Sequence, residues 1–215
     1  MLNATEHGQD LVISGTTNGI EDGQTVTIDV GGHTITGTVQ GDKFTATLPA
    51  AEVGNLQDGA VSVTASVSDR AGNSANAQHQ VNVDTKAAVS SIENVTTDNV
   101  VNKTEANGDL TLTGQIDDVE DGKAVDIVVG SKVVGHGTVQ HGQFSATITK
   151  AEVANLHDGQ VTFTVRTQDT AGNVAQKQGT FDVDTQSTIT INTISKDDML
   201  NATEHGQDLV ISGTT

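Results

Sequence analysis

The chain contains no cysteine, no tryptophan and no tyrosine, a single proline, and only 2% aromatic residues. Without cysteine there are neither disulfides nor thiolate sites, so an extracellular chain of this kind needs another staple. Without tryptophan or tyrosine it cannot build the ring platform on which sugar-binding faces usually stack their ligands. No stretch approaches the roughly 20 apolar residues of a membrane-spanning helix, which speaks against direct membrane insertion, and the first residues carry no signal-peptide pattern. Basic residues are scarce as well: Lys+Arg number 10 against 28 Asp+Glu, a formal net charge of −18. Such a surface repels phosphate backbones and excludes nucleic acid as a partner. It suits divalent cations, for which carboxylates are hard-oxygen ligands. The apolar residues, 34% of the chain, are mostly Val, Ile, Leu and Ala, a supply suited to small β cores.

What is present is repetition. Asn3-Ala4-Thr5-Glu6 returns as Asn102-Lys103-Thr104-Glu105 and again as Asn201-Ala202-Thr203-Glu204, in steps of 99 residues. Asp69-Arg70-Ala71-Gly72-Asn73 matches Asp169-Thr170-Ala171-Gly172-Asn173, and Val83-Asp84-Thr85 matches Val183-Asp184-Thr185, both in steps of 100. One residue is inserted near 131–135 and one is lost in the second linker. Residues 200–215 repeat 2–17 without a change, so the chain reads as an excerpt from a longer array. A period this long is a whole domain rather than a solenoid unit, and it has the size of an immunoglobulin-type sandwich. The expected domains are 1–85, a repeat without its first strand; 86–185, a complete repeat; and 186–215, the opening strands of a third.

Within each period, short alternating runs are separated by turn residues, as half-buried strands require. Residues 11–15, 26–30, 34–39, 43–48, 61–67 and 78–83 read as strands, with 34–39 and 43–48 forming a hairpin across Gln40-Gly41-Asp42. Only residues 50–56 and their copy at 150–156 read as a helical turn. About seven strands per period predict an all-β protein of tandem immunoglobulin-like β-sandwich domains in a linear array.

The recurring polar residues lie between these strands. An Asn-x-Thr-Glu loop precedes the second strand, an Ile/Val-Glu-Asp-Gly turn follows it, an Asp-x-Ala-Gly-Asn turn joins the last two strands, and Val-Asp-Thr ends the period. In an immunoglobulin-like topology Glu6 and Asp84 converge at the trailing pole of repeat one. Asp117, Asp118, Glu120, Asp121, Asp169 and Asn173 crowd the leading pole of repeat two, so stacking brings the two sets face to face. Carboxylates packed this closely repel unless a counter-ion joins them. Ca²⁺, which takes six to eight oxygens in flexible geometry, is the candidate, and Mg²⁺ fits less well. His7, His33 and His79 find no histidine at the aligned positions, so no transition-metal site recurs. Each motif also has a plainer reading: Asp-x-Ala-Gly-Asn is a good hairpin turn, Glu-Asp-Gly a routine one, and Asn-x-Thr-Glu a strand start.

The segments 21–27, 51–59 and 151–159, together with the Asp-x-Ala-Gly-Asn turn, resemble bacterial immunoglobulin-like domains. Those domains form the extender regions of giant RTX adhesins exported by type I secretion, and the resemblance covers essentially the whole chain. It implies a non-catalytic spacer at the bacterial surface that projects ligand-binding domains, with Ca²⁺ at the junctions and neighbouring repeats of the same polypeptide as partners. The implied ligands are Glu6 and Asp84 with Glu120, Asp121, Asp169 and Asn173; Glu105 and Asp184 at the next junction; and Glu21, Asp22, Asp69 and Asn73 at the exposed leading pole. Two departures stand out: Asn18-Gly19 faces Asp117-Asp118 in the alignment, and Pro49 is the only proline, so the linkers lack a stiffening one.

Alternatives remain open. No Ser/His/Asp set, Cys nucleophile or phosphate loop recurs, which weighs against an enzyme. No lysine recurs at a core position, which weighs against internal isopeptide cross-links. An adhesion module that itself binds a host or surface ligand would need an insertion or aromatic platform that neither repeat displays. Residues 186–196 carry an opening strand with no domain to complete, so weak head-to-tail self-association with another copy is a further expectation.

Overall fold

Strand alternation decides which residues meet. The computed structural model describes residues 1–195 and 197–215; Lys196, inside the expected opening of the third repeat, lies outside the described residues. In repeat one, β1 (Leu11–Thr16) pairs antiparallel with β4 (Lys43–Leu48). Facing them is a four-stranded sheet in the order β3 (His33–Thr38), β2 (Thr25–Val30), β5 (Gly59–Ser68), β6 (Ser74–Val83). Val26, Ile28 and Val30 occupy alternate positions of β2 and are at most 1% exposed. They pack with Ala46 and Leu48 of β4, so one core lies between the two layers. Leu2 completes it by forming a parallel bridge to Val83.

Repeat two adds the strands that precede this set. β7 (Ala88–Val89) pairs with β9 (Leu110–Asp117), and β8 (Val100–Asn102) runs parallel to β14 (Val174–Asp184). The remaining strands are β10 (Ala124–Val129), β11 (Lys132–Gln140), β12 (Gln143–Ile148) and β13 (Gly159–Gln168). The hydrogen-bonded order is β7-β9-β12-β11-β10-β13-β14-β8, a single path of eight strands. Three of the four phenylalanines, Phe144, Phe163 and Phe181, are buried here, and the Phe163 and Phe181 rings meet with centroids 5.7 Å apart.

The one-residue insertion near 131–135 has a structural consequence. Between β10 and β11 the register slips, so that Ile127 faces Gly135 and Val128 faces Val133, leaving Val134 as the extra residue of a β-bulge. β11 stays paired with β10 on both sides of the bulge, from Lys132 to Thr138, and its Gly135–Gln140 portion also forms a continuous ladder with β12, from Gly135–Ile148 to Gln140–Gln143. Repeat one lacks the extra residue, and its β3 stays on β2 from His33 to Thr38. The hairpin expected between 34–39 and 43–48 is therefore complete in repeat two, whereas in repeat one it reduces to the bridge Gln40–Lys43.

The expected helical turns are α1 (Ala50–Val53) and α2 (Lys150–Val153), each following an extended residue, Pro49 or Thr149, and each burying its valine. Beyond repeat two, β15 (Thr190–Ile191) pairs antiparallel with β16 (Gly213–Thr214), reproducing the start of the preceding repeat. Ile189, Ile191, Val210 and Ile211 of this segment are exposed.

Phe163 is 2% exposed and stacked on Phe181, so Phe163→Ala removes both a large buried surface and an aromatic contact. The expected cost is about 3–5 kcal/mol of repeat-two stability, read from denaturant unfolding followed at repeat-two amide signals, with repeat-one signals unshifted.

Candidate functional site at the inter-repeat junction

The trailing pole of repeat one is built from two chain segments laid side by side. Leu2 N–H donates to Asn82 O at 2.7 Å and Asp84 N–H to Leu2 O at 2.9 Å, which aligns residues 3–4 with 84–85. Asn3 then organises its own loop: its Oδ1 accepts the N–H groups of Thr5 and Glu6 at 2.9 and 3.0 Å, while Glu6 Oε2 accepts Asn3 N–H at 3.0 Å. This reciprocal cap recurs with Asn102 and Glu105 and with Asn201 and Glu204. The recurring glutamate of Asn-x-Thr-Glu thus has a local role, and Ala4 N–H is left pointing across the junction.

The linker is clamped by a residue outside the expected set. Asp58 Oδ1 accepts both Thr85 N–H at 3.0 Å and Thr85 Oγ1–H at 2.8 Å, and Lys86 Nζ lies 3.0 Å from Asp58 Oδ2. Asp158 grips Thr185 in the same way at 3.2 and 2.7 Å, with Gln186 in place of the lysine. The Lys86 ammonium and the Thr85 donors hold Asp58 below the usual carboxylate range. Lys86 is raised in turn by Asp58 first, then by Asp118 and Asp84, so carboxylates of both repeats act on this one ammonium. The signal was present in the sequence: Asp58-Gly59 and Thr85 recur as Asp158-Gly159 and Thr185.

At the leading pole of repeat two, the Asp169–Asn173 turn is wired from within. Asp169 Oδ1 accepts Gly172 N–H at 2.6 Å and Asn173 N–H at 2.8 Å, and Asp169 Oδ2 accepts Asn173 Nδ2–H at 2.6 Å. Gly172 sits at φ +100°, a backbone conformation that strains any residue with a Cβ, so the position favours glycine. Three hydrogen bonds then cross to repeat one. Ala4 N–H donates to Asn173 Oδ1 at 2.7 Å, Asn173 Nδ2–H to Asp84 O at 2.8 Å, and Asn3 Nδ2–H to Ala171 O at 3.2 Å. Asp169 and Asn173 are only 5% and 6% exposed, whereas Asn73, their counterpart at the leading pole of repeat one, is exposed.

The Glu-Asp-Gly turns have structural work of their own. Glu120 Oε2 accepts Thr170 N–H at 3.0 Å and Asp121 Oδ1 accepts His141 N–H at 2.6 Å, tying the turn to the two loops beside it. Glu21 and Asp22 do the same in repeat one, toward Arg70 N–H at 3.1 Å and Gly41 N–H at 2.7 Å. Asp117 and Asp118 are exposed at the end of β9, and Asp118 adopts φ 55° where repeat one has Gly19 at 72°.

The structure thus brings Asp84, Asp118, Asp169 and Asn173 to one junction, with Asp117, Glu120 and Asp121 at the same pole of repeat two. Glu105 and Asp184 lie at the trailing pole of repeat two. Glu21, Asp22, Asp69 and Asn73 lie at the leading pole of repeat one. Among the described residues no three acidic or histidine side chains gather closely enough to enclose an ion. The donor set nonetheless has calcium chemistry: carboxylates, an amide and the Asp84 carbonyl, all hard oxygens.

Neither a protein-family model nor a curated protein sequence matches the chain. Solved structures do. A structure described as a Ca²⁺-stabilised adhesin that helps an Antarctic bacterium reach out and bind ice aligns with 99% of this chain, at 29% identity and a TM-score of 0.52. A second, from a 1.5-MDa bacterial ice-binding adhesin, aligns with 99% of the chain at 25% identity and a TM-score of 0.52. The chain spans 54% of the first structure and 71% of the second. A bacterial immunoglobulin-like domain from the M. primoryensis ice-binding adhesin aligns over 43% of this chain and 93% of its own length, at 26% identity and a TM-score of 0.33. The repeats are immunoglobulin-like β-sandwiches similar to those of bacterial ice-binding adhesins. The β-sandwich expected from strand spacing is the fold of this group, and the polar motifs of these immunoglobulin-like repeats concentrate at the ends where neighbours meet.

Glu120 is held below its ordinary value, chiefly by hydrogen bonding to Thr170. A lowered carboxylate contributes stability that is present above its unfolded value of about 4.3 and is lost as pH falls through the lower folded value. Glu120→Gln is therefore expected to flatten the acid side of the repeat-two stability profile below about pH 4.3, measured by urea unfolding at stepped pH, while leaving the profile near neutrality parallel to wild type.

Proposed function

We propose that the chain is a non-catalytic spacer of a large bacterial surface adhesin, whose inter-repeat junctions are stiffened by Ca²⁺. The observation that carries this reading is the junction itself. Two immunoglobulin-like repeats meet through named polar contacts at their poles, and no recurring constellation of catalytic type lies on either sandwich. Duplication at domain scale adds length, and length is what a spacer supplies. The likeness to adhesin repeats, one from a protein described as retained at a host cell surface, supports an extracellular, cell-surface location, and a part in cell adhesion and biofilm formation belongs to the proposal.

The calcium part rests on electrostatics and on likeness together. Asp84 and Asp118 approach from opposite sides of the junction, and the Lys86 ammonium stands against both. In a chain of net charge −18, bringing these poles together costs free energy that a divalent ion offsets. The structure that aligns over nearly the whole chain is described as Ca²⁺-stabilised. The residues in reach of an ion at this junction are Asp84, Asp117 and Asp118, with Glu6, Glu120 and Asp121 offering their remaining carboxylate oxygens. Glu105 and Asp184 would serve the next junction, and Glu21, Asp22 and Asp69 the leading pole of repeat one. Because such an ion binds the folded array and not the unfolded chain, it also favours folding where calcium is plentiful, as outside the cell.

The test is calorimetric titration with Ca²⁺ paired with thermal melts in excess Ca²⁺ and in chelator. At a free concentration 100 times Kd the expected stabilisation is about 2.7 kcal/mol, which moves the melting temperature of a domain of this size by roughly ten degrees or more. Superimposable melts and no binding heat would remove the calcium part of the proposal. The double substitution Asp84→Asn with Asp118→Asn is expected to weaken the titrated site at least about tenfold, since each removes a charged ligand.

A further inference from the structure

We infer that Asn173 is a metal-independent latch between the repeats, held in position by Asp169. This refines the spacer reading and does not depend on the calcium part of it. A side-chain amide has two hydrogens to donate and one oxygen to accept with. In Asn173 both hydrogens are committed, one to Asp84 O and one to Asp169 Oδ2, while Oδ1 receives Ala4 N–H. The pattern admits only one amide orientation, because the nitrogen faces two acceptors and the oxygen faces a donor. Asp169 fixes the amide from within the turn, with Oδ1 taking two backbone N–H groups and Oδ2 taking the amide. Loss of the Asn173 amide would leave Ala4 N–H without its partner at the joint.

The same turn in repeat one shows that the latch is set before any neighbour arrives. Asn73 N–H donates to Asp69 Oδ1 at 2.7 Å and Asn73 Nδ2–H to Asp69 Oδ2 at 2.8 Å, although Asn73 is exposed. The internal half of the network is thus intrinsic to the Asp-x-Ala-Gly-Asn turn, and the two bonds to repeat one are added on contact. A side chain already fixed in its bound rotamer loses little entropy on docking. The partner it fits is correspondingly specific. It needs a backbone N–H and a backbone C=O side by side on adjacent segments, which is what the parallel pairing of Leu2 with Val83 supplies through Ala4 and Asp84. The ion then stiffens a joint whose direction is already chosen.

The experiment uses the intact 215-residue chain as wild type, Asn173→Asp and the control Asn73→Asp, each in chelator and in excess Ca²⁺. The readouts are hydrogen exchange at the Ala4 amide and calorimetric Ca²⁺ titration. In wild type the Ala4 amide is expected to exchange at least about tenfold more slowly than an unprotected amide, in chelator as well as in calcium. Asn173→Asp replaces a donor by an acceptor facing Asp169 Oδ2 and Asp84 O, and it should abolish that protection under both conditions. Asn73→Asp makes the identical change where no neighbour docks, should leave Ala4 protected, and reports whether the turn itself tolerates aspartate. Protection of Ala4 only when calcium is present, or tighter calcium binding by Asn173→Asp with Ala4 still protected, would overturn the latch. Absence of any binding heat in wild type would instead remove the calcium reading, and leaves the Ala4 result to be read by itself.

Discussion

Asn173 touches three parts of the chain at once: the Asp169 turn that carries it, the Ala4 N–H of repeat one, and the Asp84 carbonyl from the strand beside it. Such a contact forms only if several separate things are already in place. β8's counterpart in repeat one, reduced to Leu2, must lie parallel to β6 so that residues 4 and 84 are adjacent. The Asn3–Glu6 cap must turn Ala4 outward, and Asp58 must hold Thr85 so that the linker leaves in the right direction. The sandwich cores matter to function because they set these poles rigidly. A slack core would let the loops move by more than the length of a hydrogen bond.

The charge balance pulls the other way. Hydrogen bonds close the centre of the junction, while Asp84, Asp117 and Asp118 crowd its edge with Lys86 as the nearby cation. Exposed charge pairs are worth little individually, because water and salt screen them. An ion of the kind proposed, bridging several of them at once, would act on a joint whose geometry the hydrogen bonds already settle. On the proposed reading latch and ion have different tasks: one would choose the orientation, the other would oppose the repulsion that spreads it.

Much of this was legible in the sequence, and the reasons for success and failure differ. The 99-residue step and the alternation of Val26, Ile28 and Val30 belong to the chain itself, so the sandwich and the order of its turns could be read directly. The insertion near Val134 was visible, but its effect was not: the bulge shifts the register of β11 on β10 while the strand also gains a full ladder with β12, and that depends on partners beyond the local motif. Topology sent Asp84 and Asn173 to one junction, yet recurrence alone could not say what they do there. Glu6, Glu120 and Asp121 recur because they cap and tie loops, a role that leaves the same trace in an alignment of copies as a metal ligand does. Asp58 cannot be singled out by motif, because Asp-Gly is a common turn dipeptide and its grip on Thr85 spans 27 residues. Local chemistry can be read from neighbours in sequence; satisfaction of a polar group requires the partner to be located.

The central claim is that the repeats act as one oriented unit because of what lies between them. Residual dipolar couplings measured separately on repeat-one and repeat-two amides, in weakly aligned solution with Ca²⁺ present, test it most directly. The account predicts that one alignment tensor, of the same magnitude and orientation, fits both repeats. Two tensors of clearly different magnitude would mean that the repeats reorient independently, and would contradict it.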